Sequence, residues 1–172
     1  MFKGEFFHTS ASGAAAFYDY QIEQSARFSY AGSTHMYRTP SSTGNRKTYT
    51  FSTWLKLTGV DTNDAFFGVY VNSSTEAAIK FSDGTHYGKL GIYNYSGSFD
   101  MNVQTNARFR DNGGWTHVVT RVDTTQSTAN DRVRHYVNGN QITDMSTNTQ
   151  PSQNFDTYLN TSSNTNNDGR YG

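Results

Sequence analysis

The sequence has no cysteine, only two prolines and few charged residues, and these shortages exclude several classes of protein. Without cysteine there is no disulfide, no thiol nucleophile and no cysteine-ligated metal. Charged residues make up 16% of the chain and sum to a net charge of zero, whereas binding to nucleic-acid phosphates requires a basic surface. No apolar run is long enough to span a membrane as a helix. We therefore expect neither nucleic-acid binding nor membrane insertion.

Aromatic residues supply much of the apolar surface that this chain can bury. Hydrophobic residues account for only 34% of the 172 residues, but 12 Phe and 12 Tyr each carry a large apolar area. Ser, Thr, Asn and Gly dominate the rest of the sequence. This composition predicts one domain with an aromatic core and uncharged polar loops.

The clearest local signal is a pair of strands followed by a tight turn. Residues 115–123 and 131–137 read as strands joined by a polar loop, and Asn138-Gly139 follows directly. Asn-Gly favours a two-residue type I′ hairpin turn, because both central positions need positive φ. We therefore expect a hairpin into residues 141–143.

Other short alternating runs, separated by turn residues, predict further strands. They cover residues 26–30, 46–57, 66–71, 77–81, 90–95, 99–110 and, more weakly, 154–159. No helix of useful length is predicted, and turn signals recur roughly every 8–12 residues, which favours an all-β sandwich or barrel. In the run 46–57, Phe51 and Trp54 lie on opposite faces, so a central strand is expected there.

Residues 1–24 read as an arm that precedes a domain at residues 25–172. A small-residue stretch at 10–16 is flanked by two aromatic clusters, which a solvated linker would not need. One alternative is a disordered terminus. The other, which we favour, is an arm that anchors the chain on another subunit through Phe2, Phe6, Phe7, Phe17, Tyr18 and Tyr20.

Six segments in conserved order carry a resemblance to a known family. They are residues 20–28, 38–56, 115–119 (Trp-Thr-His-Val-Val), 122–126, 130–134 and 136–139 (Tyr-Val-Asn-Gly). Together they resemble the laminin-G-like, concanavalin-A-like domains of tailed-bacteriophage structural proteins, over roughly residues 20–170. The resemblance implies an antiparallel jelly-roll β-sandwich. Similar domains continue past the position of Gly172 with a closing strand, so either the chain is a fragment, or another chain donates that strand, or this member of the family is shortened.

The resemblance also implies a function and a location. It points to a non-enzymatic virion component, a fibre, tail or capsid-decoration protein on the phage particle surface. Its partners would be other virion proteins or copies of itself, and its lectin-like domain could attach to a host-surface glycan. The alternative is a soluble carbohydrate-binding module.

Catalytic residues are not indicated by the sequence. Glycosidases need two carboxylates at the reacting bond, and Glu5, Glu23 and Glu76 have no acidic partner at strand spacing. His117 lies inside the Trp-Thr-His-Val run, without a nucleophile motif, and is expected to be structural. We therefore predict no hydrolytic activity.

Two binding sites are candidates. A glycan site needs an exposed aromatic ring beside polar side chains, and Tyr87, Tyr93, Asn94 and Tyr95 offer this near turns. The alternative is that alternation buries one of these tyrosines in the core. The resemblance implies one Ca²⁺ at a loop edge, held by Asp61, Asn63 and Asp64 or by Asp123 with Asp131, and no other cofactor. For these acids the favoured alternative is turn capping.

Overall fold

The computed structural model describes residues 25–28, 35–36, 38, 40–57, 64–81 and 88–162. These residues form nine strands and one short 3₁₀ helix, Ala129–Asp131. The strands are β1 Thr48–Leu55, β2 Asp64–Asn72, β3 Thr75–Phe81, β4 Lys89–Ser96, β5 Phe99–Arg108, β6 Thr116–Asp123, β7 Val133–Val137, β8 Asn140–Ile142 and β9 Met145–Thr149. In this part of the chain there is no helix with the length and apolarity needed to cross a membrane.

Two antiparallel sheets pack as a sandwich, as the sequence predicted. One sheet has the order β1-β6-β7-β8, and the other has the order β2-β3-β4-β5-β9. Alternation along each strand turns one set of side chains toward the facing sheet. The buried core between the sheets consists of Ala77, Ile79, Phe81, Leu90, Ile92, Met101, Val103, Val118, Val122, Val133, Val137 and Leu159.

The hairpin from β7 to β8 confirms the prediction of an Asn-Gly turn. Asn138 has φ 49° and Gly139 has φ 81°, so both central residues are in the left-handed region. Nothing lies within 4 Å of the position of a Cβ on Gly139, so only backbone strain selects glycine there. The turn sets the register in which Val137 pairs with Asn140.

The prediction of a central strand at residues 46–57 was wrong for the described part of the chain. There β1 pairs only with β6 and forms one edge of the four-stranded sheet. Phe51 packs against the core, but Trp54 is 44% exposed on the other face. Aromatic residues on both faces of a strand suggested two buried faces, but one of these faces lies on the outside of the sandwich.

Two other strand predictions also need correction. Residues 154–159 form no strand, because Asn154 and Asn160 have φ of 63° and 66° and bend the chain. The segment nevertheless buries Leu159 completely.

Strand β9 was missed because its residues are almost all polar and show no alternation. Of residues 26–30, residues 26–28 are not in a strand and the others lie outside the described residues.

Candidate functional site

A groove lies on the outer face of the five-stranded sheet, across the middle of β3, β4 and β5. Register places Gly91 between Lys80 and Gln104, and Tyr93 between Ala78 and Asn102. The outward-facing side chains of these strands enclose a shallow space of about 100 Å³. Its lining consists of Glu76, Lys80, Gly91, Ile92, Tyr93, Phe99, Asn102 and Gln104.

The floor of the groove is open because residue 91 has no side chain. A Cβ at Gly91 would meet Gln104 Cγ at 3.4 Å and Val103 O at 3.5 Å, which is ordinary van der Waals contact. By contrast, a Cβ at Gly88 would lie 2.8 Å from Phe109 O, and Gly88 also has φ +84°. The fold thus requires glycine at position 88 but not at position 91. A glycine within a strand marks a bulge, a bend or the close approach of a ligand or of another backbone, and the β4–β5 register does shift between Lys89 and Gly91.

Two aromatic rings, Tyr93 and Phe99, line one side of the groove, and Tyr95 packs on Phe99 beside them. Phe99 contacts Tyr93 at a centroid distance of 6.1 Å and Tyr95 at 5.2 Å, both nearly edge to face. Phe99 is 53% exposed and therefore presents most of its ring to solvent. The Lys80 ammonium lies 4.6 Å from the centroid of the Tyr93 ring, a cation–π contact that holds this ring in place.

The polar groups of the groove can both donate and accept hydrogen bonds. Burial and, second, the negative charge of Glu76 raise the pKa of the Tyr93 hydroxyl well above its usual range. The hydroxyl donates its proton to the Glu76 side chain, so its oxygen is the part that can accept from a ligand. The Gln104 side-chain oxygen accepts from the Ser146 hydroxyl at 3.3 Å, so its NH₂ group is the part that can donate to a ligand.

Only part of the predicted glycan site is assembled here. Tyr93 and Tyr95 lie on the outer face, as a binding role requires. Asn94 points into the protein and is fully buried, so its proposed role in glycan binding is corrected. Its side chain accepts from the Tyr158 backbone N–H at 2.7 Å and donates to Asp100 at 3.1 Å. Tyr87 lies outside the described residues.

Sequence reasoning missed the residues that shape the groove most. Phe99, Gly91 and Lys80 lie on three different strands and share no motif. The one available signal was Gly91, a glycine within an otherwise strand-like run.

The predicted metal ligands are not brought together in the described structure. Asp61 and Asn63 lie outside the described residues, and Asp64 begins β2. Among the described residues, no group of three His, Asp or Glu side chains could share a metal ion. The Ca²⁺ site therefore stays a prediction.

The second predicted acidic pair, Asp123 with Asp131, is occupied by protein groups. The Asp123 carboxylate accepts from the Thr125 hydroxyl at 2.6 Å, Gln126 Nε2 at 2.7 Å and Arg121 Nη2 at 2.8 Å. The Thr125 hydroxyl and then the Gln126 amide lower the pKa of Asp123. Asp131 pairs with Arg134 at 2.7 Å. Asp123 also accepts from the Thr125 backbone N–H at 3.2 Å and so caps a turn, whereas Asp131 forms an ion pair.

His117 has the kind of structural contacts that the sequence suggested. Its Nε2 lies 2.9 Å from the Ser52 hydroxyl, and its ring stacks on Trp54 with centroids 5.0 Å apart. The predicted anchor residues Phe2, Phe6, Phe7, Phe17, Tyr18 and Tyr20 lie outside the described residues, so the anchor also stays a prediction.

The comparison with protein families agrees with this fold. The model of the laminin G-type family of the concanavalin A-like lectin/glucanase superfamily matches residues 31–171. Searches of the curated proteins and of the solved structures found no significant match. The matched residues include every strand described above, and the two antiparallel sheets form the sandwich that is expected of this superfamily. The chain therefore belongs to the concanavalin A-like lectin/glucanase superfamily.

Proposed function

We propose that this domain is a non-catalytic carbohydrate-binding module whose ligand lies in the groove over Gly91. The observation that carries the proposal is a glycine in the centre of the sheet where the fold has room for a Cβ. A glycine there weakens the strand, and although the β4–β5 register shifts just before Gly91, the fold leaves room for a Cβ, so the space that the glycine leaves open supports the proposal.

The chemistry of the groove fits a sugar. A pyranose ring has an apolar face and a rim of hydroxyls, and Phe99 offers an exposed ring for the apolar face. Tyr93, Asn102 and Gln104 offer donors and acceptors for the hydroxyls. The space of about 100 Å³ is smaller than a drug-sized pocket, so it would hold one sugar unit of a longer glycan.

The number of carboxylates in the groove favours a lectin function over a glucanase function. Of the residues that line the groove in the described structure, only Glu76 is acidic. Both common glycosidase mechanisms use two carboxyl groups flanking the glycosidic bond. The negative charge of Glu76 already acts on the Tyr93 hydroxyl, which supports a structural or hydrogen-bonding role.

Binding to a glycan array followed by titration calorimetry tests the proposal. Gly91→Val adds a β-branched side chain that suits a strand and fills the groove. We expect it to weaken binding at least about tenfold, or by about 1.4 kcal/mol, without lowering the unfolding temperature. The matched control is Gly44→Ala, since a Cβ at Gly44 has similar room, 3.5 Å from Asn160, outside the groove. Wild-type affinity in Gly91→Val would overturn the proposal.

The biological setting follows from the sequence resemblance alone. We propose that the module serves a virion component that attaches a phage particle to a host-surface glycan, and that the arm at residues 1–24 docks it on the particle. The family description names lectins and glucanases, and not phage proteins. Mass spectrometry of purified particles would detect the chain if this setting is right. Sedimentation of the full chain and of a Phe6→Ser, Phe7→Ser variant would show whether the arm mediates assembly.

A further inference from the structure

Both tryptophans of this chain lie exposed at one end of the four-stranded sheet. Trp54 pairs with His117 across β1 and β6, and Trp115 lies two residues before His117. Trp54 is 44% exposed and Trp115 is 53% exposed. His117 contacts Ser52 and Trp54, Trp115 lies two residues before His117, and Asn138 binds the His117 backbone; these five residues are called the tryptophan surface below. It belongs to the sheet opposite the groove.

The Trp54 ring is held in a defined orientation. It stacks on the His117 ring at 5.0 Å, with 23° between the two planes. His117 is itself fixed on two sides, since its Nε2 lies 2.9 Å from the Ser52 hydroxyl and its backbone N–H donates to the Asn138 side chain at 2.9 Å. An oriented ring loses less conformational freedom on binding than a mobile one.

The fold itself does not call for tryptophan at position 54. The other outward-facing residues of β1 are Thr48, Thr50 and Ser52, all exposed. Tryptophan is on average among the well-buried residues, and its exposed apolar surface is unfavourable in water. Exposure of both tryptophans at one place therefore indicates a surface that a ligand covers.

The size of this surface decides between a protein and a small ligand. The two indoles together expose roughly 250 Å², whereas a stable protein interface needs about 800 Å² per partner. A second copy of the chain would need far more apolar area than the tryptophans provide. A sugar ring, with one apolar face and a polar rim, matches a tryptophan flanked by a hydroxyl, an imidazole and an amide.

The charges on this face do not suit nucleic acid. Arg121 and Arg134 are paired with Asp123 and Asp131. Lys56 is exposed just after β1, but one lysine is too little for a phosphate backbone.

We propose that the tryptophan surface is a second glycan-binding site, which makes the domain bivalent. Two sites on opposite sheets would bind a multivalent glycan surface with higher avidity than either site alone.

The test uses the full chain with the groove closed or the tryptophan surface removed. Glycan arrays are compared for the wild type, Gly91→Val, Trp54→Ala and Trp115→Ala. The control is Gln141→Ala, an exposed residue on β8, which is separated from β1 by β6 and β7 in the same sheet. We expect Gly91→Val still to bind some of the glycans that the wild type binds. Trp54→Ala should bind those same glycans about tenfold more weakly. Gln141→Ala should bind all glycans as the wild type does. Trp54→Phe should keep part of that affinity, which separates loss of stacking from loss of folding.

Tryptophan fluorescence gives an independent readout, because the chain has only these two tryptophans. Glycans kept by Gly91→Val should shift its emission. The proposal is overturned if Gly91→Val keeps no glycan that the wild type binds, or if the kept glycans bind the tryptophan variants unchanged. If only the tryptophan variants lose binding, this inference stands and the groove proposal fails. A wild type that binds no glycan refutes both.

Discussion

His135 on β7 reaches through the core to Val103 on β5, where its Nε2 lies 3.2 Å from the backbone carbonyl oxygen. The carbonyl can only accept, so Nε2 carries the proton and Nδ1 accepts from the Thr120 hydroxyl at 3.0 Å. The imidazole is fully buried and joins the two sheets as a neutral group. Burial lowers the pKa of His135 from 6.5 to about 4.

This burial predicts a loss of stability in acid. The unfolded chain binds a proton at His135 near pH 6.5, whereas the folded chain does so only near pH 4. The stability that the neutral His135 contributes is fully present above pH 6.5. It decreases by on the order of 3 kcal/mol as the pH falls toward 4. Urea unfolding measured at several pH values would show this decline. The His135→Gln variant, which cannot titrate, should lack this part of the decline, and an equal decline in both proteins would contradict the prediction.

The turn at Gly139 should not tolerate a β-branched residue. Gly139 has φ 81°, so Gly139→Val should lower the free energy of unfolding by about 1–3 kcal/mol. Gly139→Asn should lower it less, because asparagine adopts the left-handed region more readily. Chemical denaturation of both variants checks the order, and equal effects would argue against backbone strain as the cause.

Asn94 should matter for stability and not directly for ligand binding. Asn94→Ala leaves the partly buried Tyr158 N–H without its acceptor, which should lower the free energy of unfolding by about 1–3 kcal/mol. Asn102→Ala, on the groove side of the neighbouring strand, is the comparison and should weaken glycan binding with little effect on stability. The reverse pattern in thermal unfolding and calorimetry would disprove both assignments.

Arg132 should contribute more to the stability of the fold than the other arginines near it. Its guanidinium donates to the carbonyls of Gln126 at 2.9 Å, Ser127 at 3.0 Å and Pro151 at 2.8 Å, and so ties the loop after β6 to the segment after β9. Arg132→Lys cannot make all three bonds and should cost about 2 kcal/mol. Arg134→Lys, which alters a partly exposed pair with Asp131, should lower the stability less than Arg132→Lys does. Similar losses in the two variants would refute this view of Arg132.

The strands and the hairpin turn could be predicted because their causes are local. Alternation of apolar and polar residues over β3 to β7 depends on neighbouring side chains, and the positive φ at Asn138 and Gly139 depends on those residues themselves. Strand β9 escaped prediction because it gains its pairing from β5 and not from an apolar pattern of its own.

The candidate site was only half predictable. Tyr93 and Tyr95 were identified from an aromatic pair near a turn, but alternation alone does not say which side of a strand faces the other sheet. Asn94, between them, turned out to face inward. Phe99 entered the site because the register pairs it with Tyr95, and that register includes an irregularity after Asn94 that no sequence pattern shows.

The sequence by itself determined an all-β chain with short strands and an Asn-Gly hairpin, because side-chain alternation and turn conformation are properties of adjacent residues, but the buried core is mostly aliphatic, with the aromatic rings packed around it. Only the tertiary structure decided that Gly91 opens a groove beside Phe99 and that Trp54 meets His117 on the outside. Those contacts depend on strand order and register, which are set by the packing of two sheets over one core. Residues far apart in the chain thus become neighbours, and the sequence of a short segment does not predict this.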